Sequence, residues 1–306
     1  MKKYFFILLM ILSFPRLQSQ ESTNSKIVVL NMAESFRNQK DVPLSLIVNK
    51  ITYVPLESIP TALISGNARF EIINDYIIVR QLVGGQKYQI LLFNRITGKF
   101  IREIGKNGRG PGEYKIWSLV PFNEYKKELY AINSSGELLK YDLSGNNTGK
   151  IKIPEFFDTN IPETTDSKVN NQRILLTADN LLDSNIFAGY IVNNSGWEKR
   201  KLVLFSEDKI TKIFPNSLTY KKDNQAGFGV PPLGGFSKLY KLGNKLNFIE
   251  AFCDTIYKVT KDSMIPRYYF NWGQFNAPYS EQITIRSDGH YWDYFYIENI
   301  AESNNY

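Results

Sequence analysis

The sequence predicts an all-β protein built as a β-propeller of four-stranded antiparallel blades, and three observations carry that reading. The chain holds 19 Tyr and 20 Phe among many Ile and Val, the residue types that suit a pleated, half-buried surface. Its short apolar runs are punctuated by pairs such as Thr97-Gly98, Asn107-Gly108 and Ser135-Gly136, which supply the positive φ of tight turns. Finally, a strand–turn–strand unit returns roughly every 50 residues, the period of propeller blades.

The first element is not part of the propeller. Lys2 and Lys3 precede an apolar run from Phe5 to Leu12, with Pro15 and small or polar residues at Ser13, Gln18, Ser19 and Gln20 behind it. That is the layout of a secretory signal peptide over 1–19, cut after Ser19. The run is far shorter than the roughly 20 residues of a spanning helix. No cysteine lies near the cut to carry a lipid, since the single Cys is Cys253. The expected location is therefore periplasmic or extracellular, with no stable membrane insertion. Residues 20–46 read as an N-terminal segment whose one weak helical stretch is 33–39, and the propeller runs from 47 to 306.

The blade hairpins follow in order. Ile90-Leu91-Leu92-Phe93, a turn at Asn94–Gly98 and Lys99–Ile104 form the first, and Leu138-Leu139-Lys140-Tyr141, Asp142–Gly145 and Lys150–Ile153 the second. A more worn copy runs from Leu202-Val203-Leu204-Phe205 to Phe214, and a fourth from Thr255–Val259 to Phe270. Further strands are expected upstream at 71–80, 128–133, 186–192 and 245–251. A four-stranded sheet has two faces to cover, so such units stack on one another. The recurring aromatics Phe93, Tyr141, Phe205 and Tyr257 are expected between blades as packing residues.

One stretch is more specific. Thr97-Gly98-Lys99-Phe100 leads through Ile104-Gly105 into Gly108-Arg109-Gly110-Pro111-Gly112-Glu113-Tyr114. Together with Tyr53-Val54-Pro55-Leu56-Glu57 and Asp254-Thr255-Ile256-Tyr257, it resembles the six-bladed β-propeller family of exported proteins from Gram-negative bacteria, with NHL-like repeats. The resemblance spans 47–279. It implies a six-bladed ring in which N-terminal strand material completes the last blade, and it brings no catalytic residue with it. Only four units are visible, with a fifth starting at 292–300, so the ring is expected to be incomplete at its C-terminal side. Degenerate blades within 155–200 or 215–245 are the rival account.

Charge and composition narrow the functions. The formal charge of +7 drops as Lys2, Lys3 and Arg16 leave with the signal, and the remaining cations are spread. Lys199-Arg200-Lys201 reads as a solvated strand face, and nucleic-acid binding, which shows a concentrated basic patch, is not expected. Cys253 is expected as a buried small residue. With one Cys and one His (His290), a zinc site of the usual kind is excluded, no metal or cofactor is expected, and no Gly-x-Ser-x-Gly elbow supports a triad. The Gly105–Gly112 loop lacks the residues of a phosphate-binding loop, so its glycines read as backbone freedom at a blade crossing. Arg109 and Glu113 are expected to pair across that loop with Tyr114 packed beneath. If a ligand binds there, Arg109, Glu113 and Tyr114 are its contacts, Arg109 first for its fixed donor fork. Aromatics at 291–296 suit a carbohydrate face. The sequence thus favours a non-catalytic binding propeller that recognises a glycan, peptide or partner protein at the channel mouth. A carboxylate- or Arg/Tyr-dependent lyase or glycosidase on the same face is the alternative.

Overall fold

The computed structural model describes residues 26–46, 48–85, 87–115, 122–154, 156–157, 173–174, 180–191, 198–207, 209–218, 238–250, 252–278, 294–295, 297, 300 and 302. The signal peptide at 1–19 lies outside these residues, as do His290 and Tyr291 to Asp293.

Strand β1 (Val28–Leu30) and helix α1 (Met32–Arg37) precede the blades. Blade one is β2 (Arg69–Ile73), β3 (Tyr76–Val83), β4 (Lys87–Asn94) and β5 (Phe100–Glu103). The stretch expected as one strand at 71–80 is therefore a hairpin, broken at Asn74, whose φ of 33° only a turn accommodates. Blade two is β6 (Phe122–Asn123), β7 (Glu128–Ile132), β8 (Glu137–Asp142) and β9 (Asn147–Lys152). A short pair follows, β10 (Phe156–Phe157) with β11 (Arg173–Ile174). Blade three is β12 (Asn180–Leu181), β13 (Phe187–Tyr190), β14 (Arg200–Ser206) and β15 (Lys209–Pro215). Blade four is β16 (Lys238–Leu242), β17 (Lys245–Ile249), β18 (Thr255–Val259) and β19 (Met264–Phe270).

Each blade is an antiparallel meander in sequence order, and each carries a bulge between its third and fourth strands. The register shift falls at Leu92/Phe93, Lys140/Tyr141, Leu204/Phe205 and Ile256/Tyr257. These are the four aromatic positions of the sequence repeat. A bulge increases local twist, so the repeated aromatic marks where the outer strand turns away. Phe93, Tyr141 and Phe205 are buried at 0–1% exposure, Tyr141 and Phe205 on the face toward the preceding blade and Phe93 on the face covered by the lead-in segment.

The core lies between blades, as expected. Ile78, Ile90 and Leu92 of blade one meet Leu129, Leu139 and Tyr141 of blade two. Tyr130, Leu138 and Ile151 meet Phe187, Val203 and Phe205 of blade three, whose Leu202, Leu204 and Phe214 meet Leu246, Phe248 and Val259 of blade four. The fourth cluster breaks the series. Ile77, Val79, Leu91 and Phe93 on the free face of blade one are covered by Val54, Leu56, Ile59 and Ala62. Here the chain's own lead-in segment takes the place of a preceding blade.

Two expectations change. Among the described residues the propeller shows four blades, and six are not supported: the described strands within 155–200 and 215–245 are the inner strands of blades three and four plus one short pair, and they add no blade. Among the described residues no buried cluster joins blade four back to blade one. The N-terminal strand β1 lies parallel to β19 and adds a fifth strand to a blade already complete. It is fastened by Asn271 N–H to Leu30 O at 2.8 Å. Of the expected fifth unit, Phe295 bridges Asn276 and packs on Phe36, Trp272 and Phe275 at the side of blade four.

Candidate functional site

The glycine-rich loop forms as a blade crossing. Gly105 and Gly112 adopt φ of 60° and 73°, which L side chains avoid, and a Cβ at Gly105 would lie 2.6 Å from the Tyr141 ring. The Tyr141 hydroxyl donates to Gly112 O at 2.8 Å, and burial raises this phenol to about 12. Glu113 does not pair with Arg109. Its carboxylate accepts from Gly110 N at 2.8 Å and fills the place a Gly108 side chain would need, so Glu113 staples the loop to its own backbone. Tyr114 is fully buried, edge-on to Tyr141, and donates to Tyr88 O at 3.3 Å. Arg109 is exposed. The three sequence candidates thus sit together, with one of them at the surface.

The Tyr53–Glu57 motif meets this region through the neighbouring turn. Glu57 N–H donates to Gly98 O at 2.8 Å, and its carboxylate accepts from Phe100 N at 2.9 Å. A side chain at Gly98 would strike the Pro55 carbonyl. Two motifs some forty residues apart are therefore halves of one contact.

A second site appears only in three dimensions. Asn123 Nδ2 donates to Ser184 O at 2.8 Å, so the first-strand turns of blades two and three adjoin. Glu124 and Asp183 sit in these two turns, Lys261 of blade four pairs with Asp183, and Glu71, Arg80 and Lys241 of blades one and four are close enough to be influenced electrostatically. Arg80 pairs with Glu71 at 3.1 Å, and Lys261 with Asp183 at 2.9 Å. Burial raises the Glu71 carboxyl above the usual range; Arg80 opposes this and Glu124 adds to it. Burial also lowers the Lys241 ammonium, with Glu124 and Asp183 restoring part of the shift. At Asp183 burial is outweighed by the Asn185 and Ile186 N–H groups and by Lys261, which hold it low. Charges from four blades thus influence one another, with Glu124 and Lys261 at the surface. Lys115 N–H bonds Ile132 O at 3.0 Å, so the Arg109 loop reaches blade two at the end away from Glu124.

Sequence reasoning missed this cluster because its members are far apart in the chain. The available signal was the turn chemistry. Asn123 Oδ1 accepts from Tyr125 and Lys126 N–H, and Asp183 Oδ1 from Asn185 and Ile186 N–H, the side-chain-capped turns that Asn and Asp favour.

Two further expectations are tested. Of Lys199-Arg200-Lys201, only Lys199 is exposed as expected. Arg200 grips Glu198, itself 1% exposed, at 2.6 and 3.0 Å, and Lys201 pairs with Glu250 at 2.5 Å with both side chains nearly buried. Cys253 is half-buried beside that pair, its thiol within 3.6 Å of Glu250 and pushed up by burial and the Glu250 charge. Among the described residues no group of three His, Cys, Asp or Glu side chains could hold a metal ion, and no helix is long and apolar enough to cross a membrane.

A family profile, the domain of unknown function DUF4934, matches residues 27–306. The chain belongs to the DUF4934 family. No curated protein matches it. Among solved structures, this DUF4934 chain is similar to a Bacteroides fragilis protein designated exported, at 19% identity and a TM-score of 0.50 over 72% of its own length. It spans 55% of that protein. It also aligns with a DUF4221 member from Bacteroides vulgatus at 10% identity, TM-score 0.42, covering 69% of this chain and 59% of that one.

Proposed function

We propose that this is an exported binding propeller that holds a polar ligand, a glycan, a peptide or a segment of a partner protein, at the inner edge of its blades. The observation that carries the reading is the convergence of Glu71, Arg80, Glu124, Asp183, Lys241 and Lys261 from four separate blades. Charged groups with perturbed protonation, gathered from distant sequence positions, cluster at functional sites. The signal-like N-terminus and the likeness to a protein designated exported support a periplasmic or extracellular setting.

A glycan array and a peptide pull-down with the full chain, run beside Lys241→Met/Glu124→Gln, test the proposal. Ligands retained by the native chain and lost by the variant support it. An array with no ligand, or one indifferent to the substitutions, refutes it. The raised Glu71 carboxyl favours one second reading, an acid in a carboxylate-dependent glycosidase or lyase. Release of reducing ends from polysaccharide, abolished in Glu71→Gln, is the result that reading requires.

A further inference from the structure

Blade four carries a receptor for a carboxylate, and the chain fills it with a residue of its own. Leu246 and Phe248 pack against blade three, so Asn247 between them, and its register partner Tyr240, belong to the opposite face of the blade. There Arg267 of β19 presents its guanidinium fork to Glu302. Nη2 donates to Oε1 at 2.6 Å and Nη1 to Oε2 at 3.1 Å. The Tyr268 hydroxyl adds a second bond to Oε1 at 2.9 Å, and the Tyr240 hydroxyl a second to Oε2 at 3.1 Å. Each oxygen thus accepts two bonds, the full capacity of a planar carboxylate. The donors are also held independently of Glu302. Asn247 Oδ1 accepts from Arg267 Nη1 at 2.7 Å, and the guanidinium lies 4.8 Å from the Tyr268 ring centre. Strands β16, β17 and β19 therefore build the receptor, and its occupant comes from 35 positions further along the chain. The Arg267 side chain remains 19% exposed, which leaves the fork within reach of solvent.

Independently of the inner cluster, we propose that Arg267, Tyr268 and Tyr240 form a docking site for a glutamate-bearing peptide segment of a partner protein, and that Glu302 occupies it in cis as a plug the partner's glutamate displaces. The donor set decides the ligand class. Every group that faces the ligand donates, and the one acceptor, Asn247, is spent on Arg267. A side-chain amide would turn its own N–H groups toward these donors and lose the bonds on one side. A carboxylate keeps all four, two of them charge-assisted by the fork, and such bonds are about twice as strong as neutral ones. Burial and Glu302 raise both phenols, so the two hydroxyls stay protonated and donate. Glu302 itself shows that a glutamate carried on a peptide fits, which favours a peptide over a uronic acid. A tethered plug acts at an effective concentration on the order of millimolar, and an outside ligand's apparent affinity falls by the fraction of sites left open.

The experiment is calorimetry on the full chain with an acetylated and amidated peptide of residues 299–304, whose one carboxylate is that of Glu302, its counterpart with glutamine at that position, and free glucuronate. Glu302→Ala should bind the glutamate peptide at least tenfold more tightly than the native chain does, and at least tenfold more tightly than it binds the glutamine peptide. Glu302→Ala/Arg267→Met should bind neither. Glu302→Gln, which keeps the length of the side chain and removes its charge, is the milder second variant with the same order of affinities. Cooperative melts with midpoints above the assay temperature show that the variants are folded. Failure of the glutamate peptide on both opened variants, equal binding of the two peptides, or equal binding by native and opened chains overturns the proposal. Glucuronate bound through Arg267 where the peptide fails overturns the peptide assignment in favour of a uronic acid.

Discussion

Lys201→Met is the sharpest test of how blades three and four are joined. Lys201 Nζ lies 2.5 Å from Glu250 Oε2, with only 12% and 8% of the two side chains exposed. Methionine keeps most of the aliphatic stem and removes the charge, so the Glu250 carboxylate loses its ammonium partner and keeps the Cys253 thiol beside it. Breaking a buried pair on one side costs about 3–5 kcal/mol, because a nearly buried charge loses its opposite partner. At about 2–4 °C per kcal/mol for larger domains, the melting midpoint should fall by roughly 6–20 °C. Glu250→Leu should behave alike, whereas Lys201→Met/Glu250→Leu should recover most of the loss, since the buried ion pair is replaced by two apolar groups. Circular dichroism melts and urea titrations of the four proteins measure the cycle. Single variants within about 1 kcal/mol of wild type, the range of exposed pairs, refute the reasoning. So does a double variant as unstable as the sum of the singles.

Three further outcomes follow from the same geometry. Gly105→Ala should destabilise by about 1–3 kcal/mol, since its φ is +60° and its Cβ would press on Tyr141; a thermal melt reads this directly. Phe205→Ala should cost about 3–5 kcal/mol, because Phe205 is fully buried and stacked on Phe187 at 5.4 Å, and denaturant unfolding measures it. At Glu302, burial is outweighed by hydrogen bonds from Arg267 and Tyr268, which hold the carboxyl below its usual range. A depressed folded value stabilises above the unfolded one, near 4.3, and that contribution fades as pH falls through the folded value. The melting gap between wild type and Glu302→Gln should therefore be full at neutral pH and shrink in acid, and melts across pH check it.

Much of the fold was legible because it is local and repeated. Strand, glycine turn and strand at each blade hairpin are spelled out by neighbouring residues, and the aromatic of each repeat lies at the bulge in all four blades. The first strands were harder to see. Phe122–Asn123 and Asn180–Leu181 are two residues each, too short to show alternation. The basic run at 199–201 misled because a charge run in a strand reads as solvent-facing, while its partners Glu198 and Glu250 come from beyond the strand itself.

By itself, then, the sequence determined the all-β class, the hairpins, the packing of Tyr141 and Phe205 between blades and the backbone freedom of the glycine loop. Each depends on residues within a few positions of one another, where period and turn chemistry act directly. Tertiary structure alone decided the four blades among the described residues, the use of residues 54–62 to cover blade one, and the adjoining of the Asn123 and Asp183 turns. Those depend on which faces stack and how far each blade turns from the last. Such contacts join side chains far apart in sequence, and no local pattern encodes them.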